Sequence, residues 1–124
     1  MNSKTLVTLT LGIATVITGC GSSPSTSFKS DVHPILNKHC AECHLAQGDG
    51  TQKSGFSVSS YDAIMKGTKY GPVVVAGDSA SSTLYRLIAG KVNKSIQMPH
   101  GKEKLSPAEI TVLENWIDQG AKSN

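Results

Sequence analysis

Cys40-Ala41-Glu42-Cys43-His44 is the stretch that decides how the rest of this chain is read. Thiols three residues apart share one face of a helical turn, and the imidazole that follows is carried beside the second thiol. C-x-x-C-H is the attachment pattern of c-type haem, in which both thiols bond the vinyl groups of the porphyrin. The adjoining histidine then comes under the iron as proximal ligand. A structural disulfide would leave His44 without a role. A thioredoxin-like redox pair asks for a βαβ context that the flanking residues do not offer. A zinc site needs two further ligands at matching spacing, and only the scattered His33, His39 and His100 remain. Haem attachment uses every residue of the motif, so Cys40, Cys43 and His44 are read as the holders of one haem c.

Such an iron has a second axial position. Filled by Met or His it serves electron transfer, and left open it binds small molecules. His33 and His39 lie on or beside the helix leading to the motif and read as surface residues. Met65 sits at helical spacing with Tyr61 and Asp62 and reads as a core filler. Met98 stands in a late loop, before Pro99, which favours an extended conformation at the residue preceding it. Met98 is therefore the expected distal ligand, with His100 as its replacement. A soft thioether favours reduced iron and raises the potential.

Moving outward, residues 28–40 read as a first helix, capped by Ser30 or Asp31, with Pro34 in its first turn and Val32, Ile35 and Leu36 on one face. Residues 45–60 are polar and Gly-rich and read as a loop, with Phe56 and Val58 alternating like a short strand. A short helix is expected over residues 60–67, stopped by Gly67, followed by a turn at Gly71-Pro72 and a buried run at residues 73–75. Asp78 or Ser79 would cap a helix over residues 81–89 that carries Leu84, Leu87 and Ile88 and ends at Gly90. Residues 91–105 form a Lys- and Gly-rich loop. Ser106-Pro107-Ala108-Glu109 is a capping box with Pro at the first helical position. Ile110, Leu113, Trp116 and Ile117 then recur at helical spacing until Gly120.

The N-terminal end is of another kind. Lys4 precedes an apolar stretch over residues 6–17 that is shorter and less apolar than the ~20 residues a spanning helix needs. Ile17-Thr18-Gly19-Cys20 resembles a lipoprotein lipobox, so residues 1–19 read as a signal peptide and Cys20 as the lipidated residue. Residues 20–27 are mainly Ser, Gly, Pro and Thr and read as a flexible tether. Residues 28–124 then form a single domain within a chain of 124 residues. Without Lys4, 11 basic residues face 9 acidic ones. That balance is too small for a nucleic-acid binder.

Together these residues resemble the class I monohaem c-type cytochromes, and most closely the planctomycete-type cytochrome c domain. The resemblance rests on Val32-His33-Pro34-Ile35-Leu36 leading into the C-x-x-C-H, on Gly71-Pro72 and Gly77-Asp78, on Met98-Pro99, and on the run from Leu105 through Trp116 to Ala121. It implies an all-α, cytochrome c-like domain wrapped around one haem, with Val32 and Leu36 meeting Leu113 and Trp116. Domains of this type are often fused to other modules, whereas the expectation here is a single domain behind a lipid tether.

The function expected from this reading is single-electron transfer, not catalysis, between extracytoplasmic redox partners. The location expected is periplasmic or at the cell surface, membrane-anchored through the lipid. Lys91, Lys94, Lys102 and Lys104 could ring the haem edge and steer an acidic or membrane-bound redox partner, although a solvated loop is the simpler reading. The alternatives are a haem enzyme of peroxidase or nitrite-reductase type, or a haem-based gas sensor, each of which needs an open distal site.

Overall fold

The computed structural model describes residues 24–124. The expected signal peptide, Cys20 and the first residues of the expected tether lie outside the described residues. A π-helical turn over Phe28–Val32 leads directly into α1 (His33–His44). Its cap is Ser27, not Ser30 or Asp31: the Ser27 hydroxyl accepts from the Ser30 N–H, and the Asp31 carboxylate accepts from the Ser27 N–H at 2.8 Å. With Pro34 in its first turn, α1 continues beyond the expected end at Cys40 and carries the whole C-x-x-C-H.

The expected loop after the motif contains a helix, α2 (Asp49–Ser54), which buries none of its residues. Phe56 and Val58 form no strand. They are core residues, 7% and 0% exposed, and the Val58 N–H donates to the His44 carbonyl at 2.8 Å. Helix α3 (Tyr61–Lys66) begins at Ser60, whose hydroxyl accepts from the Ala63 N–H, and stops at Gly67 as the sequence implies. Thr68 and Gly71 pair across the expected turn. Val73 and Val74 are buried, whereas Val75 is exposed.

Helix α4 (Thr83–Ile88) starts later than expected, after Ser82. Ser82 is fully buried and its hydroxyl is spent on the backbone, accepting from the Val75 N–H and donating to the Asp78 carbonyl, both at 2.8 Å. The Asp78 carboxylate caps the preceding turn through the Ser81 N–H. The late loop holds a 3-10 turn at Lys94–Ile96. Helix α5 (Pro107–Asp118) has the full capping box of Ser106 and Glu109.

Among the described residues the fold is helical with no strand. Val32, Leu36, Leu113 and Trp116 belong to one buried cluster, each 1% exposed or less. Each such side chain contributes on the order of 1.5–3 kcal/mol by leaving water. Phe28 packs at a tilt against Trp116 at 5.6 Å and meets Tyr61 edge-on at 5.2 Å. Gly120 adopts φ 97° beyond α5, a conformation that Gly reaches without steric cost. The chain then turns back so that Tyr61 donates to the Ala121 carbonyl and the Trp116 indole N–H to that of Lys122. No described helix is long and apolar enough to cross a membrane.

Candidate functional site

A cleft of about 500 Å3 opens beside the C-terminal half of α1, within the range of sites that hold cofactor-sized ligands. Helix α1 supplies Cys40, Cys43 and His44 to it, and α4 supplies Leu84, Leu87 and Ile88. Phe56 and Val73 line its depth, while Ile96, Met98, Pro99 and His100 come from the late loop. Polar groups reach it mainly from α2 (Asp49, Lys53, Ser54), from Thr68 and from Lys102. The four residues that the sequence picks out are thus brought to one cavity: two thiols and an imidazole from one helix, and a thioether from a segment more than fifty residues away. An apolar slot with sulfur and imidazole donors at its edge fits a haem, which needs apolar walls and soft or nitrogenous axial ligands.

His44 is oriented by its surroundings. Its Nδ1 lies 3.2 Å from the Phe56 carbonyl oxygen, and the Phe56 ring meets the imidazole edge-on at 5.3 Å. The same carbonyl accepts from the Thr51 hydroxyl at 2.9 Å. With Nδ1–H donating there, Nε2 is left with its lone pair free for a metal. Gly50 makes this possible. A Cβ on Gly50 would stand 2.6 Å from His44 Cε1 and 2.8 Å from the Cys43 carbonyl oxygen, so α2 can approach the motif only because Gly50 has no side chain. Sequence reasoning had no access to the Phe56 carbonyl. The Gly48-x-Gly50 pair shortly after the motif was the one available sign of a close approach.

Cys40 and Cys43 are free thiols. Burial pushes the Cys40 thiol up to about 11, and the neighbouring Cys43 adds in the same direction. Among the described residues no cluster of three or more His, Cys, Asp or Glu side chains could hold a metal ion. The zinc reading therefore finds no support.

Met98 is half-buried, and its N–H donates to the Leu87 carbonyl at 3.2 Å. The Met98–Pro99 peptide is cis. His100 is more exposed but lines the same cleft. His39 is not a free surface residue: its side chain is 10% exposed and hydrogen-bonds Glu109 of α5 at 3.0 Å. The Nε2 of His33 lies 3.3 Å from the Val58 carbonyl. Met65 packs against the core as expected. Of the four lysines of the late loop, only Lys102 lines the cleft, and it is paired with Glu42. Lys104 donates to the Pro99 carbonyl, and Lys91 lies over the Tyr85 ring and donates to its hydroxyl.

Residues 40–100 match the family model described as planctomycete cytochrome C. The match supports a cytochrome c-type domain. Its limits are the first thiol of the motif and His100, so it spans Cys40, Cys43, His44 and Met98 and stops short of Lys102 and of α5. A cytochrome c-type domain implies covalently held haem c, and the C-x-x-C spacing of Cys40 and Cys43 is of that type. It also suggests an electron carrier rather than an enzyme. Neither a curated protein nor a solved structure matches the chain.

Proposed function

We propose that this protein is a monohaem c-type cytochrome that transfers single electrons between extracytoplasmic redox partners and is held to a membrane by a lipid on Cys20. The observation that carries the reading is the gathering of Cys40, Cys43, His44 and Met98 around one apolar cleft, with His44 Nδ1 taken up by the Phe56 carbonyl. Bound haem would supply a one-electron Fe(II)/Fe(III) couple. Cys40 and Cys43 would hold it by thioether bonds, and His44 would offer Nε2 to the iron. Met98 would offer its thioether as a second ligand to the iron, which would favour the reduced state. Leu84, Leu87, Ile88 and Val73 exclude water, and this lowers the reorganisation that accompanies a change of charge.

The test is expression with a haem-maturation system, followed by optical spectra of both redox states with and without carbon monoxide, with Met98→Ala alongside. The expected wild type keeps its haem through denaturation, shows low-spin iron–thioether ligation and ignores carbon monoxide. Met98→Ala loses the thioether signature and binds the gas. A wild type that is high-spin and binds carbon monoxide readily would instead give the protein an open distal site, and with it peroxide, nitrite or gas chemistry.

A further inference from the structure

The end of the expected tether is not free. Pro24 to Ser27 run alongside the end of α5 and the residues that follow it. The Gln119 side-chain amide accepts from the Thr26 N–H at 2.8 Å and donates to the Pro24 carbonyl at 3.3 Å. The Asn124 side-chain amide accepts from the Phe28 N–H at 2.7 Å and donates to the Thr26 carbonyl at 3.3 Å. The Asn124 carbonyl accepts from the Lys29 N–H at 2.9 Å and from the Ser27 hydroxyl at 3.0 Å. Two side-chain amides thus grip the chain as a neighbouring strand would, and each satisfies backbone groups on both sides of its partner.

This changes what the tether can do. If residues 20–27 were all free, the chain from Cys20 to Phe28 could reach about 28 Å. With Pro24 held, only residues 21–23 separate Cys20 from the domain, and the reach falls to about 14 Å. A domain of this size is about 30 Å across. The helical run from Phe28 to His44 spans roughly 24 Å, so the held segment and the C-x-x-C-H lie at opposite ends of it. Turning the cleft toward the bilayer would lift Pro24 about that far from the lipid surface, beyond the shortened reach.

We infer that the face formed by residues 24–29 and 119–124 lies against the lipid bilayer, and that the cleft points away from it. This rests on the lipid anchor proposed above. The face offers hydrogen-bonding groups to a hydrated headgroup layer: Ser25, Thr26, Gln119, Lys122 and Asn124 line a hollow on it, beside Trp116 and Asp118. The cleft shares no lining residue with that hollow. The partner that exchanges electrons with the cleft therefore presents its own redox centre on the aqueous side, about one domain height above the membrane.

The experiment uses the full lipidated, haem-loaded chain, reduced, in nanodiscs of zwitterionic lipid doped with a gadolinium-chelate headgroup lipid. Amide signals broaden in proportion to their nearness to the headgroups. Broadening at Thr26 and Lys122 is expected to exceed that at Lys53 and Ile96 severalfold. A Gly/Ser insertion of about ten residues after Gly21, which restores the lost reach without touching the domain, should bring the two ends toward equality. Equal broadening at both ends in the wild type, or no change on insertion, would overturn the inference. Amide exchange gives a second readout: Thr26, Phe28 and Lys29 are expected to be protected, and Gln119→Ala is expected to expose Thr26. Free exchange of these amides in the wild type would also overturn it. Mass spectrometry of Cys20 separates the failures. A chain that carries haem but no lipid overturns the anchor and this inference together, whereas a lipidated chain with even broadening overturns this inference alone.

Discussion

The imidazole of His44 and the backbone of Phe56 are joined through Nδ1 and the carbonyl oxygen at 3.2 Å. This single contact selects the tautomer of the histidine and so selects which nitrogen faces the cleft. It depends on α2 lying close against the end of α1, and that closeness depends on Gly50.

Gly50→Ala tests this dependence. In a helix Ala is favoured over Gly by about 1 kcal/mol, so propensity alone predicts a gain. The added Cβ would stand 2.6 Å from His44 Cε1 and 2.8 Å from the Cys43 carbonyl, and overpacking of this kind costs about 1–3 kcal/mol. The clash should win. Denaturant unfolding is expected to show a net loss, and haem incorporation is expected to fall with it.

The pH dependence of stability should carry the mark of Glu109. Its carboxylate hydrogen-bonds His39, the Ser106 N–H, Lys38 and the Ser106 hydroxyl, and is held well below the usual carboxylate range, with the His39 contact the largest cause. A group depressed in the folded state contributes fully above its unfolded value of 4.5, and that contribution is lost progressively as pH falls from there toward the much lower folded-state value. Urea midpoints should therefore be flat from neutral pH down to about 5 and then decline. Glu109→Gln should flatten the acid limb.

The start of α5 offers a local test. The Ser106 hydroxyl accepts from the Glu109 N–H, while the Glu109 carboxylate accepts from the Ser106 N–H at 2.8 Å. Ser106→Ala should cost about 1 kcal/mol, which lowers the melting temperature of a domain this size by roughly 4–8 °C. Calorimetry would read it. Glu109→Ala should cost more, because the ties to His39 and Lys38 are lost as well.

Leu36 lies at the centre of the core and is fully buried beside Val32 and Leu113. Leu36→Ala leaves a cavity there and should cost about 2–5 kcal/mol. That is a large part of the stability of a small domain. A loss below about 1 kcal/mol in denaturant unfolding would mean that the helices repack around the gap.

Signals that are local along the chain were legible. Ser60 and Gly67 bound α3, the Ser106 capping box starts α5, and the apolar spacing of Leu113, Trp116 and Ile117 marks its buried face. Each rests on contacts within a turn or two. Helix α2 was not legible, because Asp49–Ser54 has no buried residue and so no apolar period. Phe56 and Val58 alternate like a strand, but a strand needs a partner and among the described residues none lies beside them. Their side chains are drawn into the core instead. The lysines of the late loop read as solvated, or at most as a ring at the haem edge, but three of them are used within the domain, by Tyr85, Glu42 and the Pro99 carbonyl.

The sequence by itself determined the chemistry that Cys40, Cys43 and His44 make available, and the helical character of the chain. Covalent spacing and the period of a helix are properties of neighbouring residues. Only the tertiary structure decided that Met98 shares a cleft with them, that the Phe56 carbonyl takes His44 Nδ1, and that Gln119 and Asn124 seize the end of the tether. These contacts join residues from twelve to nearly a hundred positions apart. They are side-chain and carbonyl hydrogen bonds with no sequence period, and they form only once the burial of Leu36, Leu113 and Trp116 has brought distant segments together.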